Sequence, residues 1–167
     1  MVEKKLSKSS FKSSLKIRVR RARISDAAFL SDLSEELGYP STKNEMIFRL
    51  KNILSDPSHA VFAAESAEKS VIGWIHVCVR NCVESNSFAE IVGLVVAHQA
   101  RGKGIGALLM QEAEKWSLRK RLHVICLRSR TSRKQEHQFY KHRGYKITKT
   151  QRVFIKGFES LSRINIS

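Results

Sequence analysis

The sequence predicts one mixed α/β domain, with a mostly antiparallel sheet, a central parallel β-α-β pair and helices on both faces. Three observations carry this. Three apolar runs of strand length follow one another, at His59–Glu65, Val71–Val79 and Phe88–Ala97. A basic, glycine-rich loop, His98–Gly104, then leads into an amphipathic helix. After that helix comes a short, fully apolar run, Val124–Leu127, of the kind expected inside a parallel pair.

The remaining elements follow in order. Ile17–Ala22 (IRVRRA) alternates and reads as an edge strand. Ser25 or Asp26 can cap a helix whose apolar face is Leu30, Leu33 and Leu37 and which Gly38 can end. Thr42 and Glu45 have the spacing of a capping box. The helix they open carries an Ile47, Leu50, Leu54 stripe and stops before Pro57. Ala67–Ser70 is a polar turn that makes a hairpin of the first two apolar runs. Ile105, Leu108, Leu109, Ala113 and Trp116 mark the buried face of the helix after the glycine loop. A last helix spans about Lys134–Lys141, and Tyr145–Lys156 reads as one or two final strands.

Size and composition fit a single core. The chain has 167 residues, 42% of them hydrophobic, which suits one domain at 17–157 between tails at 1–16 and 158–167. The basic, Ser-rich N-terminus has no apolar h-region, and no apolar run approaches the ~20 residues of a membrane span. Three cysteines, an odd count placed in apolar strand-like runs, suit reduced buried thiols and a cytoplasmic location. No His/Cys spacing points to a metal.

Charge is unevenly placed. The net charge is +16, made of +8 over residues 1–23, −5 over 24–100 and +13 over 101–167. Such a balance is compatible with nucleic-acid binding, yet the sequence lacks a recognisable binding motif or basic–aromatic interleaving. A basic C-terminal part facing a polyanionic small molecule, and an acidic middle facing a cationic one, fits the distribution better.

The central motif is Gln99-Ala100-Arg101-Gly102-Lys103-Gly104-Ile105-Gly106 at a strand-to-helix junction. Glycines let backbone N–H groups approach a ligand, and a helix start carries unpaired N–H groups and partial positive charge. Together they form an anion site suited to a pyrophosphate. A Walker loop would need Lys-Ser/Thr after the last glycine, and here Ala107 follows Gly106.

This run, preceded by Leu94-Val95-Val96 and followed downstream by Phe139-Tyr140-x-x-x-Gly144-Tyr145, resembles the acetyl-CoA motif of the GNAT superfamily. The likeness in element order covers about Ile17 to Lys156. It implies a GNAT-type fold and an N-acetyltransferase that uses acetyl-CoA. The pantetheine arm would pair with the backbone of Leu94, Val95 and Val96. The pyrophosphate would sit on Arg101, Gly102, Lys103, Gly104, Ile105, Gly106 and Ala107. Where the family often has Asn, ten residues before the tyrosine, this chain has Arg130, which would serve a phosphate instead.

Acetyl transfer to an amine needs a proton acceptor and a proton for the departing thiolate. Glu90 interrupts the apolar strand FAEIVGLVV, and strict alternation would put it on one face with Val92, Leu94 and Val96. FAEIV resembles the strand that bears the general base in the histone-acetylating branch. The competing reading is an ion pair, for instance with Arg80. Tyr140 is the candidate acid, since the resemblance points it at the CoA sulfur, against a purely core role beside Phe139 and Tyr145. His59, His76, His123 and His142 show no metal spacing. No Cys–His or G-x-S-x-G arrangement suggests an acyl-enzyme, so direct transfer is expected.

For the acceptor, Asp32, Glu35, Glu36, Tyr39 and Glu45 in the first two helices suit a cationic small-molecule amine, unless they are solvated helix faces. A protein or peptide acetyltransferase and a non-catalytic nucleic-acid binder are the competing classes. Monomer and homodimer both stay open.

Overall fold

A computed structural model describes residues 16–157. The two expected tails, Lys16 apart, lie outside the described residues. Strand β1 (Arg18–Arg21) runs into a 3₁₀ turn and helix α1 (Ala27–Leu37). Helix α2 (Lys43–Ser55) follows, then strands β2 (His59–Glu65), β3 (Val71–Arg80) and β4 (Phe88–Val96). Helix α3 (Ile105–Arg119), the short strand β5 (Ile125–Leu127) and helix α4 (Lys134–His142) complete the order.

Local chemistry explains the boundaries. Gly38 takes the left-handed conformation, φ 95°, that closes α1. Thr42 and Glu45 cap α2 reciprocally, Thr42 Oγ1 accepting from Glu45 N–H and Glu45 from Thr42 N–H. Asp26 does not cap α1 with its side chain. It turns back to accept from Arg23 N–H at 2.7 Å and from Arg20 at 2.8 and 2.9 Å. Arg20 also donates to Glu65 at 2.6 Å, so one half-buried guanidinium ties β1, β2 and the entry to α1.

The sheet order is β1-β2-β3-β4-β5, antiparallel throughout except the parallel β4–β5 pair. Helices α1 and α2 cover one face and α3 the other. A Cβ at Gly73 would meet Leu109 of α3 at 3.3 Å, whereas one at Gly93 would approach Leu37 of α1 at 3.8 Å. Ile75, Val77, Ile105, Leu109 and Met110 are fully buried between sheet and α3.

Two expectations change. Residues 145–157 form no strand, and Val153 and Phe154 are 80% and 87% exposed. Without them β5 is an edge strand of half-buried residues rather than an interior one. Apolar character alone had suggested both, but a strand exists only where a neighbour takes its backbone hydrogen bonds.

Burial alone would raise the Asp26 carboxyl, but the Arg20 hydrogen bonds and the Arg23 N–H outweigh it and hold its pKa below the usual carboxylate range. The stabilisation is therefore complete above the unfolded carboxyl's value of about 3.9 and fades as pH falls through the lower folded value. Asp26→Asn is expected to cost about 2 kcal/mol in urea unfolding at pH 7. The gap from the native protein should close as the same titration is repeated at increasingly acid pH.

Candidate active site

The site begins where β4 and β5 part. Their pairing runs Ala89↔Ile125, Glu90↔Cys126, Ile91↔Leu127 and stops, while β4 continues along β3 to Val96. The cause is a bulge. Val77 pairs with Ile91 and His76 with Gly93, so Val92 is an extra residue in β4. Bulges bend a strand and increase its twist, which turns β4 away from β5. Gly93 is required there, because any Cβ would lie 2.9 Å from the Trp74 ring.

Beyond the bulge, β4 has an edge with no strand partner among the described residues. Ala97 N–H donates to Ile72 on the β3 side. By alternation, Leu94 and Val96 turn their backbone groups to the open side. This is the edge proposed for a pantetheine arm. Val96 C=O already accepts from Arg101 Nε at 2.9 Å, leaving its N–H and the Leu94 groups for an extended ligand.

The loop that follows has the geometry of an anion cradle. Gly102 and Gly104 are left-handed, at φ 75° and 78°, with open space where a Cβ would stand. Gly104 starts α3 without a side-chain cap. The first N–H groups of a 15-residue helix therefore face outward, next to the open edge of β4. Buried Ile105 anchors this turn, and the Phe139 ring closes on Gly106. The two basic side chains brace the loop. Arg101 reaches Glu36 of α1 at 3.2 Å, and Lys103 donates to Gln99 C=O at 3.0 Å. An open strand edge beside an uncapped helix start fits CoA, with its amide-bearing arm and its pyrophosphate.

Arg130 lies in the exposed loop after β5, and its C=O accepts from Arg133 N–H and pairs with His137 Nε2, each at 3.0 Å. Arg133, which the sequence did not single out, donates to Leu37 C=O at 3.3 Å and links the start of α4 to the end of α1. Tyr140 is held in ring contacts with Phe139 and Tyr145, at 5.3 and 6.2 Å between centroids. Burial, with Glu136 adding, pushes its phenol pKa up, so it stays protonated through neutral pH. Tyr145 instead donates its hydroxyl to Glu114.

Glu90 sits where the ion-pair reading put it. Its carboxylate is 3.0 Å from Arg80 and also binds Arg128, while its side chain is 8% exposed. The bulge also overturns its expected face. Register places Glu90 with Cys78, His76, Gly93 and Val95, on the α1–α2 side, and puts Leu94 and Val96 on the α3 side. Strict alternation failed because one residue was inserted.

On that same side a cavity of about 440 Å³ lies between the sheet and the first two helices. It reaches the bulge at Val92 and Gly93 and is walled by Trp74, Leu37, Met46 and Leu50 among others. Its polar lining is Ser34, Tyr39, Arg49 and His76. Of the residues expected to attract a cationic acceptor, Tyr39 alone lines it. Glu36 accepts from His98 N–H and pairs with Arg101, Glu45 caps α2, and Asp32 and Glu35 are exposed on α1.

The histidines are the other surprise. His59 Nδ1 and His76 Nε2 are 2.9 Å apart, and His59 Nε2 is 3.8 Å from Asp56. Burial, reinforced by His59, lowers the His76 pKa to about 4, so its ring is neutral. Metal spacing was the wrong signal for them. The hairpin register was the right one, since Val61↔His76 and His59↔Cys78 put both rings on one face.

A model of the acetyltransferase (GNAT) family matches residues 27–145. An aminoglycoside N(6')-acetyltransferase type 1 of Stenotrophomonas maltophilia is 28% identical over 139 residues, covering 81% of this chain and 88% of that protein. A GNAT family acetyltransferase of Staphylococcus aureus superimposes with TM-score 0.68 at 26% identity, covering 85% of this chain and 98% of that one. The aminoglycoside N-acetyltransferase AAC(6')-Iy in complex with CoA superimposes with TM-score 0.78 at 15% identity, covering 87% and 97%. The split of β4 from β5, the uncapped α3 start and the family match together identify the chain as a member of the GNAT acetyltransferase family, an acetyl-CoA-dependent acyltransferase.

Proposed function

We propose that the enzyme moves acetyl directly from acetyl-CoA to the primary amine of a small molecule with a largely apolar body. The observation that carries this reading is the meeting of the cavity with the open β4 edge at Val92–Gly93. A pantetheine arm laid along Leu94–Val96 from the α3 start runs toward that bulge. The thioester then stands at the mouth of the cavity, and an amine in the cavity has the carbonyl carbon within reach.

The cavity wall is mainly apolar, and no Asp or Glu among the described residues lines it. Its cation is Arg49. That lining favours an amine on an apolar or carboxylate-bearing body over a polycation. The aminoglycoside relative supports the second reading, a polycationic acceptor, at the level of the family match.

In the reaction the neutral amine attacks the thioester carbonyl, the C–N bond forms, and the C–S bond breaks. A backbone N–H on the open edge faces the developing oxyanion. Tyr140 gives its proton to the departing thiolate, a role suited to a phenol kept protonated by burial. Glu90 acts as a clamp. Its two arginines, 50% and 64% exposed, come from β3 and the end of β5, so the carboxylate pins the three strands just below the fork.

Release of free thiol with acetyl-CoA and a panel of amines tests the acceptor. Aromatic and aliphatic monoamines should turn over faster than aminoglycosides, polyamines or lysine peptides, and a preference for any of these polycations or peptides overturns the assigned class. Tyr140→Phe should lower kcat by ~10²-fold while the KM for acetyl-CoA stays within about twofold. Unchanged turnover would remove its acid role. Glu90→Gln should lose about 1–3 kcal/mol in chemical unfolding and leave the acid limb of the pH–rate profile where it was. A displaced limb would return Glu90 to the role of base.

A further inference from the structure

Attack by the amine leaves a proton that must depart from a cavity with a mostly apolar wall, and Glu90 is already held by two arginines. His76 is the lining residue able to receive it. Its Nε2 is bonded to His59 Nδ1 at 2.9 Å, with the rings tilted at 34° and their centroids 5.2 Å apart. His59 lies nearer solvent, its side chain 29% exposed, and the half-exposed carboxylate of Asp56 stands 3.8 Å from its Nε2. The chain therefore runs from the cavity through two imidazoles to the surface.

We infer that His76, His59 and Asp56 form a proton relay that carries the acceptor amine's proton from the cavity to solvent. The inference rests on the transferase reading above. The amine nitrogen gives its proton to His76 at Nδ1, the ring nitrogen that His59 does not occupy. His76 passes its Nε2 proton to His59 Nδ1, and His59 releases its Nε2 proton toward Asp56 and water. The thiolate takes its proton from Tyr140, whose phenolate regains one from solvent. When product leaves, water at the cavity takes the His76 Nδ1 proton, His59 passes its Nδ1 proton back to His76 Nε2 and regains one at Nε2 from water, so the sum is amide plus free CoA.

Arg49 of α2 lines the same cavity as His76. Glu90 of β4 and Cys78 of β3 share the sheet face, and Glu90 is neutralised by Arg80 and Arg128. Asp56, just beyond α2, stands 3.8 Å from His59 Nε2 at the solvent end of the chain. Burial and the neighbouring His59 keep His76 neutral at rest, and the carboxylate lies at the outer end.

The test uses the full chain with an amine that the native enzyme acetylates. His76→Gln keeps a hydrogen-bonding side chain and removes proton transfer. It should lower kcat by ~10²-fold with acetyl-CoA binding, read by thermal shift, unchanged. His59→Ala, at the less buried site, is the second variant. Its rate should recover in part with added imidazole, and the recovery should follow the neutral imidazole concentration as pH rises through ~7. A His76→Gln rate within about twofold of native overturns the relay, as does a slow His59→Ala that imidazole leaves unchanged. An unaltered chain that binds acetyl-CoA but acetylates no amine would count against the transferase reading and the relay together. A native rate matched by His76→Gln would count against the relay alone.

Discussion

The extra residue at Val92 is the constraint on which the site depends. It bends β4 out of register with β3, ends the pairing with β5 at Leu127, and exposes the backbone of Leu94–Val96. The Trp74 ring packs where a Cβ at residue 93 would be, so the bulge is held by a close contact between two neighbouring strands. Everything chemical in the molecule is arranged around that fork. The glycine-rich loop lies at its far end, the cavity opens at its base, and Glu90, paired with Arg80 and Arg128, holds the strands together just below it.

Charge is used in two distinct ways. The chain carries a net +16, yet several of its carboxylates are spent on internal brackets between elements. Asp26 and Glu65 hold Arg20, Glu36 holds the β4–α3 loop through Arg101, Glu90 holds Arg80 and Arg128, and Glu114 holds Arg143 and Tyr145. A carboxylate already hydrogen-bonded to a guanidinium is a weaker attractor for a cationic ligand than its place in the sequence suggests. Several carboxylates of the acidic middle are thus tied into the scaffold, and the cavity it flanks has a mainly apolar wall.

Much of the fold was legible in the primary structure because it depends on local rules. The Thr42–Glu45 box, the Gly38 stop, the Ala67–Ser70 turn and the Gly102/Gly104 loop each need only residues close in sequence. That residues 145–157 form no strand was not legible. Residues 145–157 have strand-like composition, but a strand needs an available neighbour, and pairing is a long-range property. The same limit explains Glu90. Alternation predicts faces correctly up to an insertion, and no residue type announces where a bulge will fall.

The sequence by itself determined the α/β domain, the strand–loop–helix junction with its left-handed glycines and the Tyr140 motif, because each arises from short-range spacing and backbone conformation. Only the tertiary structure decided what the other polar residues do. His59 and His76 lie 17 positions apart, and the pairing of β2 with β3 makes them one hydrogen-bonded unit at the cavity. Arg128 comes 38 positions after Glu90 and occupies the carboxylate that alternation had turned toward the wrong face. Register and packing set these partnerships, since a side chain's chemistry depends on which distant groups share its low-dielectric surroundings.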